Sequence, residues 1–124
     1  MPNLATTLTY GIALAITLGV ELPIVTTALV RWYRLPLARA LALDVAANLL
    51  THPIVWFGLA PTPRPVVGDL TVTLAAEGFA WLAEAVLFFS VVRRDALGVL
   101  LLSLIANLAS YLVGVALQRV GLLH

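Results

Sequence analysis

The chain has 124 residues, of which 62% are hydrophobic and 10% charged, where soluble domains carry roughly 25% charged residues. Seven basic and six acidic side chains are too few to cover a water-soluble surface, so most of this surface must face a bilayer. A net charge of +1 argues against a nucleic-acid face, and the lack of cysteine excludes disulfides, thiolate metal sites and cysteine nucleophiles.

Four apolar stretches follow in order: Leu4–Val30, Leu37–Ala60, Leu70–Val92 and Ala96–Gln118. Each has about 20 residues or more, enough at about 1.5 Å per residue to cross a hydrocarbon core of about 30 Å. The segments do not alternate polar and apolar residues as barrel strands do. Their connections, residues 31–36, 61–69 and 93–95, are short enough to force consecutive helices antiparallel. The expected fold is therefore all-α: a polytopic membrane protein, one four-helix transmembrane bundle over residues 1–124. The first ten residues carry no basic region and no evident cleavage site, so the first helix is expected to be retained.

Orientation follows from arginine. Arg31, Arg34 and Arg39 flank the first connection and Arg93 and Arg94 the third, against Arg64 in the second and Arg119 near the C-terminus. The positive-inside rule then places the first and third connections in the cytoplasm and both termini outside. Trp32 and Tyr33 at one face and Trp56 toward the other are placed as interfacial aromatics. The setting is a multi-pass membrane protein of the prokaryotic inner or plasma membrane kind.

Each span carries one polar stripe, read from spacings of three, four and seven residues. The first has Tyr10, Thr17 and Glu21; the second Asp44, Asn48, Thr51 and His52; the third Glu77, Trp81 and Glu84; the fourth Ser103, Asn107, Ser110 and Tyr111. The simplest packing turns all four stripes inward. Asn, Ser and Thr there serve as helix glue, worth about 0.6–2 kcal/mol per contact. Glue does not account for the carboxylates, because a charge at a helix centre costs about 2.5–3.5 kcal/mol to insert. Glu21 and Glu84 each lie ten residues before an arginine, near the midplane, with Glu77 nearer the outer side. Asp44 lies only five residues past Arg39, so its expected role is an interfacial charge that snorkels.

Two prolines lie inside the spans. Pro23 frees the carbonyl of Gly19 beside Glu21, and Pro53 that of Leu49 beside His52. Freed carbonyls near a carboxylate are candidate oxygen ligands. His52, as a neutral imidazole, can bind metal or relay protons, although a lone polar-stripe histidine is more often a hydrogen-bonded core residue. No serine stands beside His and Asp in a hydrolase pattern.

The chain also resembles itself. Ala47-Asn48-Leu49-Leu50-Thr51 matches Ala106-Asn107-Leu108-Ala109-Ser110, and Glu21 and Glu84 precede these by 27 and 23 residues. Two parallel hairpin repeats would make Glu21 and Glu84, and Asn48 and Asn107, symmetry mates around one centre. Two small-residue ridges, Gly11/Ala15/Gly19 and Ala106/Ser110/Gly114, permit close helix approach within the bundle or in a homodimer.

The expected activity is cation handling, as transporter or channel, of a proton or a hard divalent metal. The ion-binding or proton-relay candidates are Glu21, Glu84, Asn48, Asn107, Glu77, His52, Thr51 and Ser110, with Glu21, Glu84 and His52 as metal candidates. An oxygen-rich set favours hard ions, so a divalent cation is the one cofactor considered. The alternative is an accessory or assembly subunit of a larger membrane complex, its glutamates meeting partner charges. An intramembrane enzyme ranks below both.

Overall fold

The computed structural model describes residues 4–55 and 69–120. Those residues form four helices: α1 (Leu4–Arg31), α2 (Leu37–Pro53), α3 (Asp69–Val92) and α4 (Ala96–Arg119). There is no strand among the described residues. Within α1, α3 and α4, the segments Gly11–Arg31, Leu74–Val92 and Ala96–Leu117 are long and apolar enough to cross a membrane. α2 is shorter, with 17 residues. After Pro53 it continues through a wider π-type turn at residues 54–55. The rest of the expected second span, Trp56 and the second connection lie outside the described residues.

The helices form a ring. α1 packs on α2 and α4, and α3 packs on α2 and α4. Each therefore turns one stripe to a shared interior and the opposite face outward. Val25, Ala28 and Leu29 from α1, Ala40 and Ala47 from α2, Phe88 from α3, and Val99, Leu102 and Ala106 from α4 make the apolar part of that interior. The outward faces are lined by large apolar side chains such as Leu50, Leu74, Val86, Leu97 and Leu112. Such faces suit acyl chains rather than water.

Corresponding positions of α2 and α4 are buried alike. Ala40 and Val99, Asp44 and Ser103, Ala47 and Ala106, Asn48 and Asn107 are all buried, and each pair is 59 positions apart. Glu21 and Glu84, and Val25 and Phe88, 63 positions apart on α1 and α3, are buried as well.

The two arginine-rich connections meet at one end of the bundle. The Tyr33 hydroxyl donates to Asp95 Oδ2 at 3.0 Å, and Arg94 donates to the carbonyl of Trp32 at 3.3 Å. Arg94 also stands over the Tyr33 ring, 5.6 Å from its centroid. Tyr33 is thus a strut between hairpins as well as an aromatic near the interface. Asp95 caps α4, its Oδ1 accepting from the backbone N–H of Gly98 at 3.1 Å. A Cβ at position 98 would collide with Asp95 Oδ2 and the Tyr33 hydroxyl, so glycine there lets the cap and the strut coexist. Arg34, Arg93 and Asp95 adopt positive φ of 58°, 58° and 54° to make the tight turns.

The small-residue ridges divide. Gly11, Ala15 and Gly19 are exposed on the outer face of α1, whereas Ala106 is buried and Ser110 and Gly114 are half-buried on α4.

Candidate functional site

The interior of the ring is polar at its middle. Glu21, Asp44, Asn48, Thr51, Glu84, Ser103 and Asn107 are all buried, with exposures between 0% and 7%. Four separate helices supply them, which is what inward-turned stripes require. The structure sorts these residues into two groups with different chemistry.

The first group surrounds Glu84 on α3. The Thr51 hydroxyl, from α2, donates to Glu84 Oε1 at 3.3 Å, and the Asn107 amide, from α4, donates to Glu84 Oε2. The single Thr51 hydroxyl proton is shared between Glu84 and the carbonyl of Ala47 at 3.0 Å, and the Asn107 amide also donates to the carbonyl of Ser103 at 2.9 Å. The Ser103 hydroxyl crosses to the carbonyl of Trp81 at 2.9 Å, while the Trp81 indole N–H donates to the carbonyl of Leu100 at 2.8 Å. Glu84 thus sits in a network that ties α2, α3 and α4 together, with both carboxylate oxygens engaged.

The second group is Glu21 on α1 with Asp44 and Asn48 on α2. Neither Glu21 carboxylate oxygen has a hydrogen-bond partner, although the residue is 1% exposed. Asp44 is fully buried rather than snorkelling, which corrects the interfacial expectation. Its Oδ1 accepts from the Asn48 amide at 3.2 Å, and its Oδ2 has no partner. The direction of its helical face overrides its shallow depth along the helix. The stripe spacing Asp44/Asn48/Thr51 already carried that signal, because the other two are buried with it.

Of the expected quartet, Glu84 and Asn107 are bonded to one another. Asn48 is instead spent on its own helix, donating to the carbonyl of Asp44 at 3.0 Å and to its side chain. Ser110 is half-buried and donates to the carbonyl of Asn107 at 3.0 Å. Glu77 is half-buried and lines a lateral cavity of about 310 Å³ between α3 and α4, with Trp81, Asn107 and Tyr111 also on its wall. Tyr111 is 38% exposed, so it has left the inward stripe. His52 is half-buried near the end of α2.

Pro23 does not place a freed carbonyl beside the Glu21 carboxylate. Gly19 and Pro23 lie on the exposed face of α1, and Glu21, two residues from each, points the opposite way into the bundle. At 100° per residue, a two-residue step turns about 200° around a helix, so a break beside Glu21 in sequence is not beside its carboxylate. Leu49, whose carbonyl Pro53 frees, is likewise on an exposed face. Among the described residues, no three His, Asp or Glu side chains converge closely enough to hold a metal ion.

Comparison with known protein families, with curated proteins and with solved structures gives no match. The chemistry of the chain has to be argued from its own residues.

Proposed function

We propose that this protein handles a cation, a proton or a hard divalent metal, across a membrane through its buried carboxylates. The carrying observation is Glu21: a carboxyl group in the bundle interior with neither oxygen hydrogen-bonded. An unpaired charge in low dielectric is strongly unfavourable, so this group needs a proton or a cation on it. Glu84, held by Thr51 and Asn107, is the second station, with Asp44 on α2 nearer the arginine-rich connection. Glu77, on the lateral cavity, and His52, toward the outer end of α2, supply the access side, and Asn48 and Ser110 complete the polar lining.

In this reading α2 also crosses the bilayer, the connections carrying Arg31, Arg34, Arg93 and Arg94 face the cytoplasm, and both termini lie outside. The two hairpins act as parallel repeats around the carboxylates. The shared burial of corresponding positions on α2 and α4 supports that arrangement.

The test is proton flux in proteoliposomes, repeated with divalent cations. The native chain should conduct or exchange, and Glu21→Gln should cut the flux by at least tenfold, while Glu84→Gln lowers it less. Any metal flux should weaken as pH falls, because proton and metal compete for the same oxygens. Flux indistinguishable from empty vesicles, or unchanged in Glu21→Gln, removes the proposal. One observation favours a second reading, an accessory subunit of a larger complex: the exposed Gly11/Ala15/Gly19 ridge, on which another helix can pack closely. A stoichiometric membrane partner recovered with the chain at native expression supports that reading.

A further inference from the structure

A groove of about 680 Å³ lies on the outside of the bundle, between α1 and α4. Its floor is apolar: Pro23, Ile24 and Ala28 on one side, Leu101, Leu102 and Ile105 on the other. Its mouth is polar and aromatic, with Trp32, Tyr33, Arg94 and Asp95. Along α1 the groove runs from Pro23 to Trp32, which at about 1.5 Å per residue is about 14 Å. Half of a hydrocarbon core is about 15 Å. The groove therefore spans one leaflet, from the interface to the midplane, and opens toward lipid.

The mouth has a definite charge preference. Arg31, Arg34, Arg39, Arg93 and Arg94 are all exposed at this end of the bundle. Asp95 is also at the mouth, but its two oxygens are occupied by the Gly98 N–H and the Tyr33 hydroxyl. Arg94 gives one N–H to the carbonyl of Trp32, and a guanidinium has five. Its remaining donors stand at the mouth in a fork that matches a phosphate. Trp32, 72% exposed, is the residue type that sits at headgroup level.

We propose that this groove is a binding site for an anionic phospholipid of the leaflet bordering the arginine-rich connections, phosphate on Arg94 and one acyl chain along the α1–α4 seam. Basic pockets between membrane helices select such headgroups. This site is separate from the buried carboxylates and stands whether or not they carry a cation.

The test uses the full chain in detergent, titrated with phosphatidylglycerol or phosphatidylcholine and followed by native mass spectrometry and thermal stability. Phosphatidylglycerol should bind preferentially. Arg94→Gln should weaken it about fivefold, the value of one basic side chain near an anionic surface. Arg93→Gln removes the same charge from a side chain that does not line the groove and instead bonds the carbonyl of Ser90, so it should leave binding nearly unchanged. Thr27→Trp, filling the groove wall, should weaken both lipids, with helix content by circular dichroism reporting that the chain still folds. Equal losses for Arg93→Gln and Arg94→Gln, or no effect of Thr27→Trp, overturn the proposal. So does glycerol phosphate competing as strongly as the lipid, which would make this a soluble-phosphate site.

Discussion

Each hairpin buries a glutamate on its first helix, and the two carboxylates meet opposite treatment. In the α3–α4 hairpin, the Asn107 amide reaches across to Glu84. In the α1–α2 hairpin, the corresponding amide, that of Asn48, is held by Asp44, and Glu21 is left without a partner. The residue one turn before the asparagine separates the two cases. On α4 it is Ser103, whose hydroxyl is drawn off to Trp81 and lies 3.4 Å from the Asn107 amide. On α2 it is Asp44, a stronger acceptor at 3.2 Å. At this position Asp44 takes the Asn48 amide, whereas Asn107 extends its amide to Glu84.

The largest effect expected from this difference is a change of sign. Leucine has nearly the volume of glutamate and needs no partner. Glu21→Leu should raise stability in detergent by about 1–3 kcal/mol, the usual cost of a buried polar group without a hydrogen bond. Glu84→Leu strands the Asn107 amide and the Thr51 hydroxyl, although each keeps a backbone acceptor, and should lower stability by about 1 kcal/mol. Thermal unfolding of the two variants decides it. Destabilisation of similar size by both would mean that Glu21 is held as firmly as Glu84.

A smaller effect tests the cause. Asp44→Ser gives α2 the residue that α4 has. It removes a neighbouring carboxylate and releases one Asn48 N–H. The gain from Glu21→Leu should then shrink, with a coupling of roughly 1 kcal/mol in a double-mutant cycle. Additive changes would show that Asp44 does not govern the state of Glu21.

Most of this arrangement is legible in the sequence because helices report their faces through spacing. The four apolar stretches, the inward stripes and the burial of Glu21 and Glu84 all follow from 100° per residue and the cost of charge in lipid. For Asp44 the direction of its helical face outweighs its shallow depth. For Pro23 closeness in sequence misleads, because residues two apart on a helix face opposite sides. The capture of Asn48 by Asp44 is an i to i−4 contact that the spacing allows, but the choice between that acceptor and Glu21 depends on how closely α1 and α2 approach. The Tyr33–Asp95 bond joins residues 62 positions apart, so only the closed ring of helices brings them together.

That bond also yields the smallest expected effect, at the joint between the hairpins. The Tyr33 phenol is held above its ordinary pKa by burial first, then by its hydrogen bond to Asp95 and the charge of that carboxylate, with Arg94 opposing. The folded state therefore keeps this proton at pH values where the unfolded chain has lost it. The stabilisation is fully present below the unfolded value of about 10 and is lost as pH rises through the folded value, when the phenolate can no longer donate. Stability measured from neutral to strongly alkaline pH should decline in the native chain with a component that Tyr33→Phe lacks. Gly98→Ala is the second variant, because its Cβ must displace Asp95 Oδ2 or the Tyr33 hydroxyl. It should lower stability at neutral pH by about 0.5–2 kcal/mol through the α4 cap and flatten the same alkaline component. Gly78→Ala, where a Cβ meets nothing within 4 Å, should instead gain about 0.5–1 kcal/mol from helix propensity. An alkaline profile identical in the native chain and Tyr33→Phe would mean that the two hairpins are held together at this end without the phenol, with the Arg94 bond to Trp32 as the remaining link.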